Sequence, residues 1–503
     1  MVFNNANFCR KIVASSKNRV VQSLLEICDL KLLIYAEGNL KKYIALFLPA
    51  LMAGILYIPS LGFEYLSYDD PIYVQHNPAI HSAATIQSVY SEFLSIEYIY
   101  HPITMLSFKF NALITGVDAF SFRAFNLAIH LCNIVLANLW FQRCKLGRIS
   151  SLLLALIYGV HPMNQESVAW IAERKGLLST FFCLACLTCQ NPLRSRLTWR
   201  ASEPVLLWIL SILCKPVAIF LPFVLVPTFI EMFRTLKSSS HLKRLLIPAT
   251  LLTGAIACGL IVGFLCYRAE AAVGSFGDSL IINWPSAIGA IVLYPLRYAG
   301  ILDYSILHPI GIVGNIHVLS GMMIVAASAL TYFASSAIIR INILLFFTSL
   351  FPAINLIQIG PHFTADRYFY LPQVFLLCII GALFLGQRQP QDLQKVSFFE
   401  GTTLIAVVAV IIALVILSSS RLQRWRTTES IFTEANEAYP QSARVKAIIG
   451  SEMFKSGRIK EASIMLQRAN NEDPFDPIVL KKLNIISGLN QQNQNKNKIA
   501  EKL

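Results

Sequence analysis

Apolar runs close to the length needed to cross a bilayer recur along nearly the whole chain. They occupy residues 43–59, 122–141, 149–161, 177–191, 245–266, 317–334, 341–358, 368–385 and 402–419, with a shorter pair, 204–214 and 217–233, broken at Lys215-Pro216. A helix needs about 20 apolar residues to span the hydrocarbon core, and only a helix or a closed barrel satisfies its own backbone there. With 55% apolar and only 14% charged residues, the chain reads as an all-α, polytopic membrane protein of about eleven spans. That count requires residues 284–300 (WPSAIGAIVLYPLRYAG), with two prolines and an arginine, to lie on or partly in the membrane without crossing it.

The formal charge of +14 does not indicate nucleic acid, because the basic residues concentrate in short loops such as RCKLGR (143–148), RSRLTWR (194–200) and 234–244. Such loops stay on the cytoplasmic side. Between Lys42 and Lys109 there is no Lys or Arg, whereas Glu64, Asp69, Asp70, Glu92 and Glu97 all occur there. The first loop, 60–121, is therefore expected outside, and the span count carries the C-terminus to the same side. Arg421, Arg424 and Arg426, just past the last span, speak for the opposite side. Residues 1–42 are basic, cytoplasmic or interfacial, and without a cleavable leader pattern, so 43–59 reads as a retained span. The eleven cysteines avoid 60–121 and the last 79 residues, which excludes a disulfide within either. Cys183, Cys186 and Cys189 read as packing residues, not a zinc site.

Past residue 420 the chain turns polar. Pro440 and Pro474, Ala435 and Ala469, Phe432 and Leu466, and Ile449 and Leu483 each lie 34 residues apart, the period of a tetratricopeptide repeat. The fullest copy covers 443–476, with Gly450 where the helices approach and Gly457 in the turn. Flanking helices at 425–438 and 477–489 are expected to cap it, because one helical pair cannot bury its own face. The repeat either holds a protein partner or caps the membrane domain. The expected organisation is thus 1–42, a membrane domain at 43–420, repeat helices at 421–490 and a polar tail at 491–503.

Several polar residues cluster where apolar ones would cost less. They are Asp69-Asp70, then Tyr100-His101-Pro102, then HPMNQESVAWIAERKG (161–176), then Lys215, and finally HFTADRYFYLP (362–372). In the third segment Glu166 and Glu173, at i and i+7, would share one helix face. All fall on the outer side by the charge argument, which favours one polar site over scattered caps. Asp70 before Pro71 also fits a helix N-cap, His161-Pro162 fits a span terminus, and Arg174, Lys175 and Arg367 fit interfacial anchors. Carboxylates facing Arg and Lys suit transfer from a phosphate-linked donor, one acid taking a proton while cations stabilise the leaving phosphate. Asp69 and Asp70 are also candidates to share a proton or a divalent metal. No nucleotide-binding glycine motif occurs.

YDDPIYVQHNP, YHPITMLSFKFNALITG, IYGVHPMNQESVAWIAERKGLLS, CKPVAIFLP and HFTADRYFYLP resemble, in order, signature segments of the C-type superfamily of membrane glycosyltransferases with tetratricopeptide tails. That group includes the transmembrane and tetratricopeptide-repeat-containing O-mannosyltransferases and bacterial relatives. The resemblance implies an inverting transferase that takes a sugar, mannose being one candidate, from a polyprenyl- or dolichyl-phosphate donor. The acceptor would be a protein Ser/Thr hydroxyl. By motif, Asp69 becomes the base and Asp70 its partner or a metal ligand. Arg174, Lys175, Lys215 and Arg367 become donor-phosphate ligands; His161, Glu166, Asp366, His362, Tyr100 and His101 become positioning groups. The short repeat points to a bacterial inner membrane ahead of the endoplasmic reticulum. Where the family motif reads Y-R-P-L, this chain has Tyr100-His101-Pro102-Ile103, one cation fewer. The alternatives are a transferase acting on a lipid or cell-wall glycan, and a non-catalytic scaffold or transporter.

Overall fold

The computed structural model describes residues 40–81, 100–189, 203–222, 253–254, 256–265, 268, 283–308, 313–356, 363–385, 398–474 and 479–485. The N-terminal segment, the basic loops 194–200 and 234–244, most of the 217–233 run, His362 and the polar tail lie outside them. The described residues are helical, joined by turns, with one isolated bridge between His308 and Thr364. The longer helices are α1 (Leu40–Tyr57), α2 (Pro102–Thr115), α3 (Ala119–Arg143), α4 (Arg148–Val160), α5 (Arg174–Thr188) and α6 (Glu203–Cys214). There follow α7 (Ile256–Leu265), α8 (Trp284–Tyr298), α9 (Asn315–Ala334), α10 (Ala337–Leu350), α11 (Pro372–Ile380) and α12 (Phe398–Leu422). The C-terminal set is α13 (Thr428–Ala438), α14 (Ala443–Lys455) and α15 (Ile459–Glu472).

Four segments among the described residues are helical, long and apolar enough to cross a membrane: Tyr43–Gly62, Ala119–Arg143, Asn315–Ala334 and Thr402–Arg426. Their surroundings differ. More than half of the α3 span is buried, whereas only 6% of the α9 and α12 spans is. Exposed Ile316, Leu319, Met323 and Phe333 on α9, and Ile405, Ile412 and Ile416 on α12, form faces that water would not tolerate and lipid would. This is a helical membrane protein with α3 near its centre. Helix α8 has 15 residues, about 22 Å of rise, short of the roughly 30 Å core. It packs along α9.

One end of the bundle gathers what the site needs. Helix α12 finishes against the end of α4, where Ser418 Oγ donates to the Val160 carbonyl (2.6 Å) and Gln165 Nε2 donates to the Ser418 carbonyl (2.6 Å). The chain beyond it returns to the first loop: the Ser67 N–H donates to Thr428 Oγ1 (2.8 Å) and the Glu64 N–H to the Arg426 carbonyl (3.3 Å). The C-terminal helices therefore share an end of the bundle with Asp69 and Asp70. Two of the three arginines past the last span pair with carboxylates of α13, Arg421 with Glu434 and Arg424 with Glu437.

Helix α13 starts at a reciprocal cap between Thr427 and Ser430, and α14 at Ser442, whose hydroxyl accepts from the Val445 N–H. Between α14 and α15, Gly457 takes φ +78°, a conformation that favours glycine. Helices α14 and α15 meet where Gly450 faces Leu466, and a Cβ there would sit 2.9 Å from Leu466 Cγ. Gly450→Ala is expected to cost about 1–3 kcal/mol. Amide exchange should then quicken across α14 and α15 but not in α3; unchanged protection in α14 would contradict this packing.

Candidate active site

Between α4 and α5 the backbone leaves helical geometry although every residue from Tyr158 to Thr180 is buried. A short turn (Pro162–Asn164), a helical turn (Gln165–Ala169), extended Trp170 and a second turn (Ile171–Glu173) follow one another. Glu166 and Glu173 thus do not share one continuous helix face, as their spacing suggests, because the helix breaks at Trp170. The break is tolerated because side chains on α3 answer the released backbone groups. Arg123 Nε donates to the Ala169 carbonyl (2.9 Å), and Asn126 Nδ2 to the Trp170 and Ile171 carbonyls (3.2 and 3.3 Å). Asn133 Nδ2 donates to the Leu177 carbonyl (3.0 Å). His130 Nε2 faces the Gly159 carbonyl (3.1 Å), so that nitrogen carries the proton, and Nδ1 accepts from the Tyr370 hydroxyl (2.6 Å). These four residues, spaced 3, 4 and 3, line one face of an apolar helix.

The break brings two carboxylates to three cations from separate segments. Glu173 is fully buried; its Oε1 pairs with Lys215 Nζ, and its Oε2 lies 3.8 Å from Lys175 Nζ and 3.7 Å from Arg367 Nε. Glu166 takes the Arg367 guanidinium on Oε1 and the Arg367 backbone N–H on Oε2 (2.8 Å). Three cations against two carboxylates leave one positive charge. Pro216 favours extended backbone at Lys215, which leaves α6 and points its side chain at Glu173. Arg367 sits in a tight turn, Asp366–Phe369, that sends neighbouring side chains in different directions. Aromatic rings wall the cations: Tyr73 and Trp170 around Lys175, Tyr368 by Lys215, and Trp170 and Tyr368 by Arg367. Gly176 leaves room for Glu173, since a Cβ there would meet Glu173 Oε1 at 2.5 Å. Tyr73, Trp170, Tyr368 and Gly176 stand within the quoted motifs, yet charge patterning alone does not single them out.

Asp69 and Asp70 separate cleanly. Asp70 is buried: Oδ2 accepts from the Leu66 N–H (2.9 Å) and Oδ1 from the Ala172 N–H (3.0 Å), tying the first loop to the broken segment. Pro71 does open the following turn, but Asp70's side chain does not cap it. Burial pushes the Asp70 carboxyl up to about 6, against those two N–H donors and Arg123. Asp69 is only partly buried; Lys175 donates to the Tyr73 hydroxyl (2.9 Å), and the charges of Glu173 and Asp69 hold its ammonium up against burial. The pair suits a shared cation poorly because Asp70's oxygens already face backbone donors, and no group of three potential ligands converges among the described residues.

The other predicted residues divide. Arg174 is not with Lys175, Lys215 and Arg367: it donates to Asn126 Oδ1 (2.8 Å), Asn111 Oδ1 (2.9 Å) and the Phe122 carbonyl (2.8 Å), between the Phe108 and Phe125 rings. Adjacent helix positions diverge by about 100°, which sends Lys175 to the cluster and Arg174 away from it. His161 uses both ring nitrogens, accepting from the Met163 N–H (3.2 Å) and donating to the Tyr298 carbonyl (2.9 Å), with its ring stacked on Tyr298. It terminates α4. His101 stands within the influence of Lys175 and Lys215; burial first, then those charges, push it down to about 3, so it is neutral. Tyr100 packs with Trp208, Ile212 and Val262. Asp366 joins a second network with His308, Arg297 and Arg421. Cys183, Cys186 and Cys189 are free thiols along α5.

Asp70→Asn turns an amide NH2 toward one of two backbone donors, which should cost about 1–3 kcal/mol. The melting temperature in detergent should fall for Asp70→Asn and hold for Asp69→Asn. Equal melting of the two variants would contradict the division of labour.

The chain is 33% identical over 88 residues to the human protein O-mannosyl-transferase TMTC3, a stretch covering 17% of this chain and 9% of that protein. It is 35% identical over 96 residues to mouse protein O-mannosyl-transferase TMTC1, covering 19% of this chain and 10% of that protein. To Drosophila melanogaster protein O-mannosyl-transferase Tmtc3 it is 28% identical over 109 residues, covering 17% and 11%. The matches thus span about a tenth of these relatives. No family model and no solved structure matches the chain. The partial similarity, carried on a helical membrane protein, suggests a glycosyltransferase.

Proposed function

We propose that this chain is an inverting membrane glycosyltransferase of the C-type superfamily. It moves a sugar, with mannose the first candidate, from a polyprenyl- or dolichyl-phosphate donor to a protein Ser/Thr hydroxyl on the periplasmic or lumenal side. The observation that carries this reading is the partly exposed Asp69, whose charge reaches Lys175, together with a buried group in which Lys175, Lys215 and Arg367 outnumber Glu166 and Glu173. Asp69 takes the acceptor proton as the hydroxyl oxygen attacks the anomeric carbon. The bond from that carbon to the phosphate oxygen breaks with its electron pair on phosphate, whose charge the three cations stabilise. Asp70 holds Asp69's loop through its two backbone contacts. The reaction is drawn without a metal, Asp70 being committed as described. The membrane helices present the lipid-linked donor, and the C-terminal helices, read as one tetratricopeptide repeat with partial neighbours, stand on the acceptor side.

Asp69→Asn should reduce sugar transfer from a polyprenyl-phosphate donor by roughly 10²–10⁴-fold while the melting temperature holds. Wild-type transfer by this variant would remove the assignment. Burial, with Lys175 and Arg367 beside it, lowers Lys215 to about 8 against the pull of Glu173. Above that pH the group loses a positive charge, so kcat/KM for the donor should fall through pH 8. An arginine stays protonated there, and Lys215→Arg should carry the plateau beyond pH 9. An alkaline limb unchanged by Lys215→Arg would assign it to another group.

A further inference from the structure

We infer that Arg421 is a positioning residue for the Glu166–Arg367 pair, and that the C-terminal helices, through Glu434, help build the phosphate-binding group; this rests on the function proposed above. The Glu166–Arg367 pair joins two segments far apart in sequence, and both are indexed on the last turns of α12. On the Glu166 side, Arg421 NH1 donates to the Pro162 carbonyl (3.1 Å), and Gln165, next to Glu166, donates to the Ser418 carbonyl (2.6 Å). On the Arg367 side, Arg421 NH2 lies 3.9 Å from Asp366 Oδ2, one residue before Arg367.

Asp366 is 1% exposed. Burial opposes its charge, but His308, Arg297 and Arg421 overcome this and hold its carboxyl below the ordinary value. Burial, then Arg297, lowers His308 to about 4. It is therefore neutral, donating from Nε2 to Asp366 (3.2 Å) and accepting on Nδ1 from the Tyr439 hydroxyl (2.6 Å). Arg421 is itself set from the tail: Glu434 on α13 accepts from its Nε (3.1 Å) and NH2 (3.3 Å), and its guanidinium lies over the Tyr304 ring. Two contacts, Glu434 on α13 to Arg421 and Tyr439 just past its end to His308, thus run from this helix to Asp366. A charged group shared among four segments loses much more when removed than when replaced by another cation.

The test uses the full chain in detergent with Arg421→Met, Arg421→Lys and Glu434→Gln. Amide exchange at Arg367, whose N–H is held by Glu166, reports the joint without any enzymatic assay. It should quicken in Arg421→Met, recover in Arg421→Lys, and leave α3 protected in both. With a polyprenyl-phosphate sugar, donor KM should rise about tenfold in Arg421→Met and about threefold in Glu434→Gln, with kcat within about twofold. Unchanged exchange at Arg367, or looser exchange with wild-type donor KM, would overturn the inference. So would a general loss of protection that Arg421→Lys does not restore, since it marks a merely structural role. A wild-type chain that transfers no sugar would instead remove the proposed function, and the exchange arm would still decide whether Arg421 holds the joint.

Discussion

Everything at the polar end of this molecule depends on an unwound stretch of backbone held inside an apolar bundle. Residues 161–173 forgo part of the helical ladder while fully buried, where each unanswered N–H or carbonyl would cost about 1–3 kcal/mol. Arg123 and Asn126 on α3, Asp70 from the first loop and Arg421 from α12 supply partners to this stretch. Because these groups come from three separate elements, the conformation that lets Glu166 and Glu173 converge exists only once the bundle has assembled. A straight helix would fix the two carboxylates one above the other at i and i+7; the break lets each find its own cation.

The electrostatics follow from that geometry. A buried carboxylate is tolerated when paired, and Glu173 sits among Lys215, Lys175 and Arg367. Three cations held by two acids form a preorganised site with charge to spare, the condition for stabilising a leaving phosphate without reorganisation during the reaction. Asp69 is partly exposed, whereas Asp70, its neighbour, is buried and accepts from the Leu66 and Ala172 N–H groups. Where the resembled second motif carries a cation, this chain has His101, neutral and within the influence of Lys175 and Lys215. In the proposed reaction the donor phosphate meets three cations, not four.

How much was legible in the sequence depends on how local the physics was. Apolar run lengths located α1, α3, α4, α9 and α12 to within a few residues, because burial in lipid is a property of single segments. The convergence of Asp70, Glu166, Glu173, Lys175, Lys215 and Arg367 was legible as polar residues sharing one side of the bundle. The separation of Arg174 from Lys175 was not, since it depends on Asn111, Asn126 and Phe108 reaching Arg174 from other helices. Nor was the use of Arg421, which pairs with Glu434 and lies near Asp366, residues from other segments. The polar row at Arg123, Asn126, His130 and Asn133 did carry a signal, a 3, 4, 3 spacing in an apolar span, and it marks the helix that supports the site.

The central claim is that Lys175, Lys215 and Arg367 form the seat of a lipid-linked phosphate facing Asp69. A cryo-electron microscopy structure of the full chain with polyprenyl phosphate tests it most directly. The account predicts phosphate density within hydrogen-bonding distance, about 3 Å, of these three side chains, with the lipid leaving toward the membrane helices and Asp69 open on the opposite side. Phosphate bound elsewhere on the bundle, with the three cations still closed on Glu166 and Glu173, would contradict it.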